Sequence, residues 1–196
     1  MKLTTERFLI RNLRISDATN TYLNWLYSEK ENQFISRTFD KKNINFLKNF
    51  IKEVNLGHDI NYENHTTTLG KENVKKLKNS YKQKKVRTEF LGIFEKKEFI
   101  HIGNIKYDPI DLNNKFAIMG ILIGNKKYRG KGTFKEVFTE TCKKINTKYK
   151  IKKIFLGLGK DNMIAKKAYE KVGFKVYKNN NTSIFMSINL PLFIQD

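Results

Sequence analysis

The stretch FAIMGILIGNKKYRGKGTF, residues 116–134, is the most informative part of the chain. Its largely apolar first part, 116–124, predicts a central strand buried on both faces. Two glycines, Gly130 and Gly132, then precede an amphipathic helix. Glycines before a helix start let backbone N–H groups point at one anion. The order strand, glycine loop, helix therefore predicts either a phosphate-binding loop or a plain turn between a strand and a helix.

The glycine spacing excludes two common nucleotide-binding motifs. A P-loop needs the pattern G-x-x-x-x-G-K-[ST], which is missing here. A dinucleotide-binding fingerprint needs a third glycine three residues after Gly132, and that position is not glycine. The loop is therefore neither a P-loop nor a dinucleotide-binding fingerprint.

The remaining apolar patterns predict an α/β (α+β) chain, with a mixed sheet and helices on its faces. Further strands are expected at 7–13, 90–95, 99–107, 152–159, 175–178 and 183–190. Helices are expected after a cap at Ser16 or Asp17, over 43–54, from about 133, and over 162–174. Residues 108–115, which contain one of the two prolines, predict a loop.

The segment 55–88 is a variable, lysine-rich insertion within one predicted domain, 1–196. Its second half, KENVKKLKNSYKQKKVR (71–87), carries eight basic residues and one acidic residue. Only Val74, Leu77 and Tyr81 could pack there, which favours a weak exposed helix or a mobile basic segment.

The formal net charge of +20 leaves three interpretations open. These are a solvated lysine-rich surface, a field that attracts an anionic ligand, and nucleic-acid binding. The N-terminal residues have no signal-peptide pattern, and no segment reaches the ~18–20 apolar residues of a membrane span. The single cysteine, Cys142, cannot pair within the chain, so a reducing, cytoplasmic location is expected.

Two motifs taken together resemble a known family. RGKGTF (129–134) is followed by KDNMIAKKAYEKVGF (160–174), with an asparagine, a small residue three positions on, and a tyrosine seven positions on. In this combination the chain resembles the GNAT superfamily of acetyl-CoA-dependent N-acetyltransferases. Within it, TERFLIRNLRISDATNTYLNWL and HIGNIKYDPID are similar to the branch of ribosomal-protein alanine acetyltransferases and bacterial amino-sugar acetyltransferases of surface-polysaccharide biosynthesis.

The resemblance implies a mostly antiparallel sheet of about seven strands, splayed between the fourth and fifth, with acetyl-CoA as co-substrate and no metal. The pantetheine arm would lie in the splay. The implied cofactor-binding residues are Ile121, Leu122, Ile123, Arg129, Gly130, Lys131, Gly132, Thr133, Phe134, Asn162 and Lys166. Tyr169 matches the family's general acid, although its place on an apolar helix stripe also suits a core aromatic. Phe134 stands where the family keeps Gly or Ala, and its ring is expected in the core beside Phe138.

The general base is not implied by the resemblance, because Ile118 occupies the position where many relatives carry glutamate. His101, Glu136 and Asp108 are the candidates. Each also has an ordinary interpretation: a strand-edge histidine, a carboxylate favoured by a helix dipole, and a turn residue. Possible acceptor-binding residues are Tyr22, Trp25, Asn104 and Asp111.

The expected function is acetyl transfer to a primary amine, and the favoured acceptor is a small nucleotide-linked amino sugar, whose pyrophosphate suits a basic protein. A protein N-terminus is the alternative acceptor. A nucleic-acid-binding module and a non-catalytic CoA-binding module are alternatives of another class. Nucleic acid is not favoured as a partner, because residues 71–87 lack interleaved aromatics apart from Tyr81. The sequence leaves open a monomer or a homodimer.

Overall fold

The computed structural model describes residues 1–27, 43–56 and 68–191. The strands in these residues are β1 Lys2–Thr4, β2 Phe8–Asn12, β3 Val86–Glu95, β4 His101–Asp111, β5 Phe116–Ile123, β6 Lys153–Gly159, β7 Lys175–Asn179 and β8 Ser183–Asn189. The helices are α1 Asn20–Tyr27, α2 Ile44–Asn55, α3 Lys71–Lys82, α4 Thr133–Tyr149 and α5 Met163–Lys171. Residues 57–67 of the predicted insertion lie outside the described residues.

The eight strands form one sheet in the order β1-β2-β3-β4-β5-β6-β8-β7. Only β5 and β6 pair in parallel, and the other neighbouring pairs are antiparallel. The predicted mixed, mostly antiparallel fold is therefore confirmed. The count of about seven strands missed β1, which is three residues long and too short to show an alternating pattern.

Strand β4 is longer than the sequence predicts. The expected loop 108–115 is wrong for its first half, because β4 continues through Pro109 to Asp111. Proline removes a donor from the strand ladder, and sheets accept it at bulges. The register shifts between Tyr107 and Ile110 against β5, so Pro109 lies in such an irregularity.

The two faces of the sheet carry different helices, as the side chains of β5 show. Ala117 and Met119 pack in one cluster with Val137 of α4. Phe116 and Ile118, which alternate with them, pack in another cluster with Leu77 of α3. Leu122 lies on the same face as Ile118 and contacts the cluster formed by α1 and α2. We call the face covered by α1, α2 and α3 the three-helix face.

The basic segment after residue 70 is a helix that packs on the sheet. In α3, Leu77 is 1% exposed and Ser80 is buried, while the lysines lie outward. Ser80 donates a hydrogen bond to Asp111 Oδ1 at 2.8 Å, which ties the helix to the end of β4. The alternative of a mobile segment is therefore wrong for Lys71–Lys82.

The predicted splay lies between β5 and β6, the fourth and fifth strands of the sequence-based count. Their parallel pairing joins Phe116, Ala117 and Ile118 to Lys153, Ile154 and Phe155, and it stops there. Strand β5 continues for five more residues along β4 only. A gap therefore opens beside the second half of β5. None of the helices in the described ranges is long and apolar enough to cross a membrane.

Candidate active site

The loop after β5 has the shape that its glycines predict. A short 3-10 turn, Lys126–Tyr128, begins where the Asn125 side chain accepts a hydrogen bond from the Lys127 N–H at 3.1 Å. Gly130 and Gly132 then adopt φ angles of 71° and 74°. This is the left-handed region, in which a side chain is strained, so both positions favour glycine.

The start of α4 leaves backbone N–H groups available to an anion. Gly132 is its N-cap residue and has no side chain with which to cap the helix. The backbone bond that closes the first turn runs from the Glu136 N–H to the Gly132 carbonyl at 3.1 Å. The N–H groups before Glu136 lie outside the helical ladder and at the positive end of the helix dipole. The loop is thus suited to bind a phosphate group.

Side chains fasten this loop at both ends. Arg129 Nε donates to the Ile123 carbonyl at 2.7 Å, and its Nη2 donates to the Gly124 carbonyl at 3.4 Å. Thr133 is buried, and its hydroxyl donates to the Tyr128 carbonyl at 2.7 Å. Lys131 is exposed. Arg129 and Thr133 therefore hold the loop in shape, while Lys131 adds positive charge at its surface.

The gap beside β5 adjoins the start of this loop. Ile121, Leu122 and Ile123 are half-buried and pair on their other side with Ile105, Asn104 and Gly103 of β4. A Cβ atom at Gly103 would overlap the Leu122 carbonyl oxygen, so this glycine permits the close approach of the two strands. The predicted pantetheine-binding residues thus lie at the edge of the gap.

Tyr169 of α5 and Phe134 of α4 are brought together next to this loop. Their ring centroids are 5.0 Å apart at an interplanar angle of 83°, and Phe134 also stacks on Phe138 at 5.4 Å. Burial raises the pKa of Tyr169 to about 12. The phenol therefore remains protonated at neutral pH, and its O–H is available as a hydrogen-bond and proton donor to a developing thiolate leaving group.

Asn162 and Lys166 have structural partners on the same helix. The Asn162 side-chain oxygen accepts a hydrogen bond from the Ala165 N–H at 3.1 Å, which caps α5. Lys166 Nζ lies 2.6 Å from Glu170 Oε1, one turn later. Their predicted contacts with a cofactor would come in addition to these bonds.

His101 lies in an aromatic cluster on the three-helix face. Its ring centroid is 4.8 Å from that of Phe94, 5.1 Å from Tyr22 and 5.2 Å from Trp25. Nε2 donates to the Gly103 carbonyl at 3.0 Å, and Nδ1 is buried without a hydrogen-bond partner. Burial lowers the pKa of His101 below its usual value. A neutral, enclosed imidazole of this kind favours packing over proton transfer.

The two aromatic candidates for acceptor binding are packed into that cluster. Tyr22 is 1% exposed. Trp25 is half-buried and lies flat against Gly124, where a Cβ atom would overlap the indole ring. The helix that carries them is capped by Thr19, whose hydroxyl accepts from the Tyr22 N–H at 3.2 Å, so the expected cap at Ser16 or Asp17 is wrong.

Glu136 joins the start of α4 to the N-terminal strands. Its carboxylate accepts hydrogen bonds from the Thr5 hydroxyl at 2.6 Å, the Arg7 N–H at 2.9 Å and Arg7 Nε at 2.7 Å. Burial alone would raise the pKa of Glu136, but these bonds outweigh it and hold the pKa below its usual value. A satisfied carboxylate with a low pKa is a poor proton acceptor, which favours a structural role.

Asp111 and Asn104 are buried and already bonded. Asp111 is fully buried and accepts hydrogen bonds from the backbone of Asn113 and Asn114 at 3.0 Å, as well as from Ser80. Asn104 Oδ1 lies 3.0 Å from His101 Nε2. The geometry therefore favours turn formation for Asp111 and support of the aromatic cluster for Asn104.

Asp108 differs from the other base candidates, because it is buried between polar side chains of β3 and β4 on the three-helix face. The Thr88 hydroxyl donates to Asp108 Oδ1 at 3.0 Å, and Lys106 Nζ lies 3.8 Å from Oδ2. Lys106 pairs with Gly120, and its side chain lies over that glycine. We call Thr88, Lys106 and Asp108 the polar strip. Lys106 lies opposite Gly120 in the second half of β5, and the strip extends from there across β4 to β3, on the side of β5 away from β6.

The sequence did not point to Thr88 or Lys106. Each is a single polar residue in a strand, and only the cross-strand register brings Thr88 of β3 to Asp108 of β4. The charged residue two positions before Asp108 was the one available signal, since residues i and i+2 share a face of a strand. Within the described ranges, no three His, Cys, Asp or Glu side chains are grouped to hold a metal ion.

Comparison with known proteins agrees with this geometry. Residues 7–175 match the family model described as an acetyltransferase (GNAT) domain. A comparison with curated protein sequences found no match. Among solved structures, a GNAT-family acetyltransferase from Bacillus anthracis is 17% identical, with a TM-score of 0.68 and coverage of 96% of this chain and 98% of that chain.

Two further solved structures are ribosomal-protein acetyltransferases by their descriptions. The ribosomal-protein-S5-alanine acetyltransferase from Vibrio fischeri is 15% identical, with a TM-score of 0.63 and coverage of 96% of both chains. A ribosomal L7/L12 alpha-N-protein acetyltransferase in complex with coenzyme A is 11% identical, with a TM-score of 0.70 and coverage of 98% of this chain and 99% of that chain. At these identities the likeness shows the fold.

Proposed function

Because the chain belongs to the GNAT acetyltransferase family, we propose that it acetylates the amine of a nucleotide-linked amino sugar. The acetyl donor is acetyl-CoA, as in the family. The observation that carries the proposed acceptor is the polar strip on a strongly basic protein. A buried carboxylate can hold an incoming ammonium group there, while the net charge of +20 attracts an acceptor that bears phosphate.

The residues present fit acetyl-CoA. Gly130 and Gly132 hold the left-handed turns that leave the N–H groups of α4 open, and β6 diverges from β5 after Ile118. The loop would bind the pyrophosphate, and the edge of β5 would bind the pantetheine arm. The bound co-substrate supplies an acetyl group activated as a thioester.

Tyr169 is the proposed general acid. Its phenol is protonated at neutral pH, because burial raises its pKa to about 12. The ring of Phe134 packs against it and holds it beside the glycine loop. The proton that Tyr169 donates would compensate the charge on the departing thiolate.

Asp108 is the base candidate that the geometry favours. An attacking amine must lose a proton, so a carboxylate near the reacting face of the sheet is useful. Thr88 and Lys106 hold the Asp108 carboxylate in place beside β5. His101 and Glu136 are both engaged elsewhere, in an aromatic cluster and in an anchor to the N-terminal strands.

A protein N-terminus is the second candidate acceptor. It is supported by the solved structures of similar fold that are described as ribosomal-protein acetyltransferases. The polar strip could hold either the ammonium group of a protein N-terminus or the ammonium group of an amino sugar. The two candidates differ in what lies beyond the amine, which is a pyrophosphate in one and a peptide chain in the other.

Release of free thiol from acetyl-CoA tests the proposal directly. The panel should contain UDP-linked and other nucleotide-linked amino sugars, peptides that begin with serine or alanine, and a polyamine. We expect turnover above the background without acceptor for a nucleotide-linked amino sugar. Turnover with peptides alone would replace the proposed acceptor by the second candidate, and turnover with polyamine alone would contradict both.

A further inference from the structure

A cavity of about 490 Å³ lies on the three-helix face between the ends of α2 and α3 and the start of β3. We propose that this cavity binds the nucleoside diphosphate part of the acceptor, an inference that rests on the proposed function. The residues that line it are Val54, Asn55, Leu56, Tyr81, Lys84, Val86, Arg87 and Thr88. Its volume lies within the ~300–1,000 Å³ of typical ligand sites.

The cavity combines an apolar wall with an aromatic ring. Val54 and Val86 are buried, and they come from α2 and β3. Tyr81, at the end of α3, is half-buried and adds its ring to the same wall. Flat, apolar surfaces of this kind pack well against a nucleobase, which presents a π-face of its own.

The rim of the cavity is cationic. Lys84 and Arg87 are exposed there, at the end of the segment 71–87 that has eight basic residues and one acidic residue. Arg87 Nη1 donates to the carbonyls of Lys84 and Val86 at 3.1 and 2.7 Å, which fixes the guanidinium beside the rim. Both bonds use Nη1 among the five N–H donors of an arginine, so donors remain for a diphosphate.

The cavity adjoins the polar strip at Thr88. Thr88 lines the cavity and also donates a hydrogen bond to Asp108. A ligand with its diphosphate at Arg87 would therefore point its sugar toward Asp108 and the gap beside β5. Helix α3 contributes one wall of this cavity. Leu77 packs the helix against the sheet, and this packing places the C-terminal end of α3 at the cavity.

Isothermal titration calorimetry tests this assignment with uridine diphosphate as the probe. The protein should first be saturated with coenzyme A, so that the glycine loop cannot take up the probe. We expect uridine diphosphate to bind this complex, and we expect the double variant Lys84→Gln/Arg87→Gln to bind it at least tenfold more weakly. The matched control is Lys144→Gln/Lys175→Gln, which makes the same change in net charge at exposed positions outside the cavity lining. Its affinity for uridine diphosphate should stay within twofold of that of the wild-type protein.

Three results would overturn the assignment. The first is that uridine diphosphate does not bind the protein saturated with coenzyme A. The second is that added coenzyme A displaces uridine diphosphate in proportion to its concentration. The third is that both double variants lose affinity for uridine diphosphate equally. Turnover need not be measured, so the outcome is separate from that of the acceptor screen. Binding at the cavity without acetylation of any nucleotide-linked amino sugar would reject the proposed acceptor and leave the nucleotide site standing.

Discussion

The ring of Phe134 stands edge-on to the ring of Tyr169, with centroids 5.0 Å apart. The resemblance of RGKGTF to the family loop implies a small residue at this position, where this chain has phenylalanine. Edge-to-face aromatic pairs contribute about 0.5–1.5 kcal/mol beyond the area that they bury. The ring of Phe134 therefore both fills the core beside Phe138 and limits the orientations open to Tyr169.

Replacing Phe134 should weaken the fold without improving the cofactor site. We expect Phe134→Ala to lose about 1–3 kcal/mol of unfolding free energy in urea, since the ring is partly buried in an aromatic cluster. Acetyl-CoA affinity should not increase. Phe134→Leu, which keeps most of the volume, should lose less. Much tighter binding of acetyl-CoA by a fully stable Phe134→Ala protein would show that the ring obstructs the loop instead.

Removing the Tyr169 hydroxyl should affect chemistry rather than binding. We expect Tyr169→Phe to lower kcat by about a hundredfold or more, with little change in the KM for acetyl-CoA. The loss should be constant from about pH 6 to 9, because the raised pKa of about 12 keeps the phenol protonated throughout this range. Steady-state kinetics across that range measure it, and unchanged turnover would reject the role of general acid.

Asp108 should matter most when the acceptor amine is protonated. We expect Asp108→Asn to reduce kcat/KM for the acceptor by about a hundredfold at neutral pH. The deficit should shrink as the pH rises, because more of the amine is then neutral in solution. Thr88→Val, which removes one hydrogen bond to Asp108, should cause a smaller loss with the same pH trend. A pH-independent deficit in both variants would point to a purely structural carboxylate.

Glu136 should contribute stability that depends on pH. Its folded pKa is lowered, so the contribution is fully present above its unfolded value near 4.5 and is lost as the pH falls through the folded pKa. We expect Glu136→Gln to cost about 1–2 kcal/mol at pH 7, allowing for the partial exposure of Arg7. Urea unfolding at pH 7 and near pH 3 should show the difference from wild type narrowing in acid. If the difference in unfolding free energy between the two proteins were the same at both pH values, the lowered pKa of Glu136 would not contribute to stability.

Local patterns in the sequence predicted the glycine loop and the helices around it. Gly130 and Gly132 have the positive φ angles that their residue type suggests, and the helix after them begins at Thr133. These features depend on residues close together in the chain. The resemblance to a family then supplied the splay between β5 and β6, which no local pattern indicates.

The polar strip could not be predicted, because it depends on the register of three strands. Thr88 reaches Asp108 across a register shift between Arg87 and Glu89, and a second shift follows Tyr107 on the next strand pair. One-residue slips exchange the two faces of a strand. Because the sequence does not reveal where these shifts occur, it does not indicate which of the polar residues in β3 and β4 meet.

An internal competition tests the central claim most directly. A UDP-linked amino sugar and a peptide beginning with serine, at equal concentration, are mixed with limiting acetyl-CoA and the enzyme, and mass spectrometry identifies which one gains an acetyl group. The account predicts acetylation of the sugar nucleotide well ahead of the peptide, and loss of that preference in Lys84→Gln/Arg87→Gln. Preferential acetylation of the peptide by the wild-type enzyme would contradict it.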